Sequence, residues 1–234
     1  MKIRALIFIL LFLGLAGTTA YYSFAREKTV SFAQAEIPPM VGVSPIIQER
    51  PSVEPTLVQR VSTINAPGFV NPIDYASERM TKKHFGTYVS PDHSLVPNEH
   101  FKGLHAAVDF EILDDREIAS EVEIRTVCQG PLVRKEWAKG YGGVVVQECI
   151  LNDNPISIIY GHMDIASIVA EKGDIMMPGD RLGNLGDGYS HETDGARKHL
   201  HLGFYNGVPA DIRGYVPTQE ELVKYLNPCH YICQ

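Results

Sequence analysis

The stretch Phe101-Lys102-Gly103-Leu104-His105-Ala106-Ala107-Val108-Asp109-Phe110 sets a histidine and an aspartate four residues apart behind a glycine. At that spacing the two side chains share a face on a helix and equally on a strand. Val108 and Phe110 take the alternate positions, so the segment reads as a strand or a strand entering a turn. Alone it carries little weight. In a chain with 9 histidines and 28 acidic residues, about one such pair arises by chance, so its meaning depends on company.

The company lies downstream. Ile156, Ile158, Tyr160 and His162 alternate along one strand, which closes at Gly161-His162, and His199-Leu200-His201 follows. On a strand the last two imidazoles point to one side, about 7 Å apart. His105, Asp109, His162, His199 and His201 together supply three side chains able to hold a metal and two left to move protons. Hydrolysis needs both sets, because a fully coordinated structural zinc has no open position for water. The helical zinc signature is absent: His191-Glu192 begins one, but Gly195 stands where its second histidine belongs.

The surrounding text is β-like. From about residue 66, Gly and Pro punctuate short apolar runs. Leu132–Trp137 and Val144–Cys149 flank a glycine-rich turn at 139–143 and read as a hairpin. Gly173, Gly179, Gly183, Gly186 and Gly188 mark tight turns between short strands. One late helix is predicted, capped by Thr218 with Glu221 completing a capping box and Leu222, Val223 and Leu226 on its apolar side.

These motifs resemble the lysostaphin-type (LytM-domain) peptidoglycan metalloendopeptidases. The resemblance runs from Phe101 to Phe204 and rests on the 101–110 stretch, Ile159-Tyr160-Gly161-His162-Met163 and Lys198-His199-Leu200-His201-Leu202. It implies a mainly β fold, a small antiparallel β-sandwich (a duplicated hybrid motif) with a groove across it. It implies one Zn²⁺ per chain on His105, Asp109 and His201, with His162 and His199 as the catalytic histidines. The implied substrate is bacterial peptidoglycan, cut in its peptide stems or cross-links. Two departures stand out. Ala106-Ala107 follows the first histidine where the family commonly has glycine, and residues 186–198 form a longer, more polar loop. Two other readings stay open, a catalytically silent adaptor regulating other wall hydrolases and an exported zinc peptidase acting on proteins.

Aromatic residues near the motifs have two readings each. Tyr160 either lines the groove as a substrate-binding residue or packs in the core. Trp137 and Tyr141 either stack on substrate or pack within the hairpin.

The rest of the chain gives context. Its 234 residues, 44% hydrophobic, suit one sizeable domain with appendages. A net charge of −7 without a basic block gives no electrostatic footprint for nucleic acid. Lys2 and Arg4 precede an uncharged run from Ala5 to Ala25, so residues 1–25 read as an export signal or a retained membrane anchor. Residues 26–65, interrupted by Pro38, Pro39, Pro45, Pro51 and Pro55, read as a flexible linker. The catalytic domain is placed at 66–228, with core motifs at 101–205, and a cysteine-containing tail at 229–234. The expected location is extracytoplasmic, secreted or tethered to the outer face of the cytoplasmic membrane, with membrane contact only through an uncleaved N-terminus. Cys128, Cys149, Cys229 and Cys233 fit an oxidising compartment. Cys128 with Cys149 and Cys229 with Cys233 are one of three possible connectivities, and a four-thiolate zinc site is the other use of four cysteines.

Overall fold

The computed structural model describes residues 68–233. The export segment and the linker predicted before residue 66 lie outside them. Among the described residues no helix is long and apolar enough to cross a membrane.

The chain runs through one-turn α1 (Ala76–Arg79), β1 (Tyr88–Val89), β2 (Gly103–His105), β3 (Val108–Glu111) and β4 (Glu123–Arg125). The long strands β5 (Gly130–Ala138), β6 (Gly142–Leu151) and β7 (Asn154–Gly161) follow. Then come β8 (Met163–Asp164), β9 (Ile175–Met176), β10 (Arg181–Leu185) and β11 (His199–Tyr205). β12 (Tyr215–Val216), α2 (Gln219–Leu222) and β13 (Tyr225–Leu226) complete it. The main sheet has the order β13-β11-β7-β6-β5-β9, with β3 also paired to β11. Two three-stranded sheets, β1-β2-β12 and β4-β10-β8, flank it. The pairings of the main sheet are antiparallel.

The sequence explains the long strands. β6 and β7 are rich in Val and Ile, whose branched side chains suit a pleated surface. Both faces of these strands are buried. Val145, Ile156, Ile158 and Tyr160 enter the main core with Phe110, Leu200 and Phe204. Val144, Val146 and Ile159 form a second cluster around Tyr141 on the other face. Each such buried side chain contributes about 1.5–3 kcal/mol relative to exposure.

Two expectations need correction here. The late helix is a single turn. Thr218 does cap it, accepting from the Glu221 N–H at 3.3 Å, but Val223 is exposed and Leu226 lies in β13 opposite Phe204. The apolar residues after the cap serve a sheet edge, so their helical spacing misled. The tail is also no appendage. Ile232 and Cys233 join the main core, and Tyr231 stacks on Phe204 at 6.1 Å. Disulfides join Cys128 to Cys149, with Cα atoms 6.2 Å apart, and Cys229 to Cys233, at 5.0 Å.

Candidate metal centre

The register of three strands builds the site. On β11, His201 stands opposite Asp109 of β3 on one side and Gly161 of β7 on the other. His199 stands opposite Glu111. Directly opposed residues project to the same face, so Asp109, Glu111, His199 and His201 form one polar array. The alternate residues Val108, Phe110, Leu200 and Leu202 enter the core on the reverse face. His105 arrives from the flanking sheet, on β2, where it pairs with Tyr215.

His105 Nε2, Asp109 Oδ1 and His201 Nδ1 lie at the corners of a triangle, each edge 3.2 Å. A tetrahedral cation bonded at about 2.0–2.1 Å keeps its donors about 3.3–3.4 Å apart, so the triangle fits one. The outward nitrogens orient the rings. His105 Nδ1 faces the His84 carbonyl at 3.3 Å, and His201 Nε2 faces the Tyr141 hydroxyl at 3.3 Å. That hydroxyl donates to the Ile212 carbonyl at 2.6 Å, so it accepts from His201 Nε2–H. With protons assigned to the outward nitrogens, the inward ones present lone pairs. Asp109 Oδ1 is buried among them without a hydrogen bond. Three buried acceptors converging on one point call for a cation, and these residues could hold one.

The second oxygen of Asp109 is engaged elsewhere. Arg197 Nη2 donates to Oδ2 at 2.8 Å, and His199 Nε2 lies 3.3 Å from it. Burial lowers His201 to about 4 and His162 well below its ordinary value, so the two rings stay neutral.

His162 follows the end of β7 in a left-handed conformation, φ 63°. That twist breaks the alternation and takes its ring off the Tyr160 face to lie 4.3 Å from His199. Its Nδ1 is buried without a hydrogen bond. His199 Nδ1 donates to the Arg197 carbonyl at 2.8 Å, which leaves Nε2 as an acceptor. Gly161 is required beside them, because a methyl group there would overlap the Tyr141 ring.

His162, His199 and His201 line a groove of about 380 Å³. Residues 96–102 form one wall, with Phe101 stacked on Tyr215 at 5.1 Å, and residues 212–215 another. Across from them, the 186–198 loop is tied together by the buried Thr193 hydroxyl, which bonds to Asp187 and Ala196 carbonyls. The loop presents Tyr189 and Arg197 to the groove.

All five motif residues therefore meet in one place. Tyr160 does not join them, and its substrate-binding reading is corrected. It is fully buried, accepts from the Val127 N–H at 2.8 Å and donates to Gln147 at 2.9 Å. Trp137 stacks on His191 and donates to its carbonyl at 2.9 Å. Sequence reasoning missed Arg197, Glu111 and the role of Tyr141. Two of these had a signal: Glu111 lies two after Asp109 and Arg197 two before His199, the spacing that puts residues on one strand face.

The chain was compared with known proteins. It is similar to Csd3 of Helicobacter pylori, at 23% identity over 70% of this chain and 35% of that one, with a TM-score of 0.42. It is similar to the antimicrobial peptidase lysostaphin of Staphylococcus simulans, at 17% identity over 68% and 50%, with a TM-score of 0.44. For the protein LytU the values are 19%, 64%, 81% and 0.42. The chain thus spans about a third of Csd3 and half of lysostaphin. No curated protein matches it. Residues 104–212, which hold all five motif residues, match the model of peptidase family M23.

Proposed function

We propose that this chain is an exported zinc endopeptidase that hydrolyses amide bonds in the peptide stems or cross-links of bacterial peptidoglycan. One observation carries the reading: three converging acceptors on His105, Asp109 and His201, with His162 and His199 beside them on an open groove. His105, Asp109 and His201 would hold one zinc ion, and bound there it would supply Lewis acidity, acidifying a water and polarising a carbonyl oxygen. His199 Nε2, left as an acceptor by the Nδ1–H bond to Arg197, takes the water's proton. His162, kept neutral by burial, donates towards the developing oxyanion. The hydroxyl adds to the carbonyl carbon, the C–N bond breaks, and the proton passes to the leaving nitrogen. Tyr141 and the His84 carbonyl keep the two ligand rings in their working tautomers.

The substrate class follows the family resemblance. Export is supported by the N-terminal sequence and by the two disulfides, which persist in oxidising compartments. Residues 1–25 then serve as signal or anchor and 26–65 as a spacer to the wall. Incubating the full chain with purified sacculi, with and without chelator, tests the reading. Chelator-sensitive release of new amino termini is expected. Zinc-loaded protein that binds sacculi without releasing any would leave a silent adaptor, and cleavage of proteins but not sacculi would replace the substrate.

A further inference from the structure

Arg197 lies where two carboxylates would otherwise face each other unscreened. Asp109 and Glu111 share one strand face, and both are buried. Arg197 bridges them, with Nη2 on Asp109 Oδ2 at 2.8 Å and Nε 2.9 Å from Glu111 Oε2. Its Nη2 also reaches Glu111 Oε1. Glu111 is fixed in turn by Lys82 Nζ at 3.1 Å, and its carbonyl accepts from Arg79 at 3.1 Å. The guanidinium is thus a fork seated on an anchored carboxylate, with one prong on the metal-facing aspartate.

The consequence concerns which oxygen Asp109 can offer. A free carboxylate turns about its last bond and can present one oxygen or both to a cation. Here Oδ2 is taken by Arg197, and Oδ1 alone faces His105 and His201. We propose that Arg197, braced by Glu111, is a positioning residue that makes Asp109 a one-oxygen donor and so keeps the fourth position free for water. The inference rests on the metal reading above. A lysine cannot replace the fork, because a point charge on a flexible stem does not bridge two carboxylates in fixed geometry.

The test uses the metal-stripped full chain as wild type, Arg197→Met, Arg197→Lys and the double variant Arg197→Met/Glu111→Leu. Zn²⁺ affinity is read by competition with a chelating dye, and coordination by the visible spectrum of Co²⁺. Loss of such an outer partner typically lowers metal affinity about 10–100-fold, and that loss is expected in all three variants. The Co²⁺ bands should weaken in each, because the released second oxygen adds a donor and four-coordinate Co²⁺ absorbs more strongly than five-coordinate. The double variant removes Glu111 along with the guanidinium that bridges it, leaving Lys82 at the surface, so it reads the effect even where Arg197→Met fails to fold. Wild-type affinity and spectrum in Arg197→Met would overturn the inference while leaving the metal site standing. So would recovery in the double variant, which would trace the loss to stranded Glu111 charge. A wild type that binds no metal overturns the metal reading, and this inference with it.

Discussion

Two buried polar clusters sit on opposite faces of the main sheet, and they end differently. Around Tyr160 every group finds a partner: Val127 donates to its hydroxyl, the hydroxyl donates to Gln147, and Gln147 donates to the Cys128 carbonyl at 2.8 Å. Around Asp109 the network stops short, leaving Asp109 Oδ1 and His162 Nδ1 buried without hydrogen bonds. Native interiors satisfy nearly all such atoms, so the first cluster is a closed structural clamp and the second an open site. The contrast separates stability from chemistry, and substitutions on either side should show it.

The largest effects are expected on the open side. Asp109→Ala or His105→Ala should lose both bound zinc and hydrolysis, down to the uncatalysed background, as read by metal analysis and amine release from sacculi. His199→Ala should keep its zinc while kcat falls about 10²–10⁴-fold, the usual contribution of a positioned proton carrier. Zinc loss in His199→Ala would move that residue into the ligand set.

A matched pair of tyrosine variants sharpens the comparison further. Tyr141→Phe removes the partner of His201 Nε2 and should lower zinc affinity at least about 10-fold, with a stability cost of about 1 kcal/mol from the part-buried Ile212 carbonyl it leaves. Tyr160→Phe strands the Val127 N–H and one Gln147 oxygen, costing about 1–3 kcal/mol in urea unfolding with zinc affinity unchanged. Reversed outcomes would exchange the roles assigned to the two faces.

The smallest effect tests a satisfied pair far from the groove. Hydrogen bonds from buried Arg79 hold the Glu117 carboxyl below its ordinary value, at 2.7 and 2.8 Å. A carboxyl whose folded pKa is depressed contributes stability above its unfolded pKa and loses it as pH falls through the folded one. With solvent screening the partly exposed carboxylate, Glu117→Gln should therefore cost only about 0.5–1 kcal/mol at neutral pH, and the gap to wild type should close on acidification. A gap constant down to strongly acidic pH would show that charge is not what Arg79 reads.

Much of this arrangement was legible in the sequence, and the gaps have physical causes. Period-two alternation placed the hairpin, and residues four apart or two apart placed His105 with Asp109 and His199 with His201. The same alternation failed at His162, because its positive φ turns the side chain off the face it would share with Tyr160. It failed again after Thr218, where a one-turn helix passes at once into a strand. Glu111 and Arg197 carried only a two-residue spacing from Asp109 and His199; that they bond to each other follows from the register of β3 on β11, which no local pattern records.

Titrating Zn²⁺ into the metal-stripped full chain, beside its His105→Ala variant, tests the central claim most directly. The geometry predicts one tight site per chain in the wild type and its loss in the variant. Equal binding by both proteins, or none by the wild type, would contradict it.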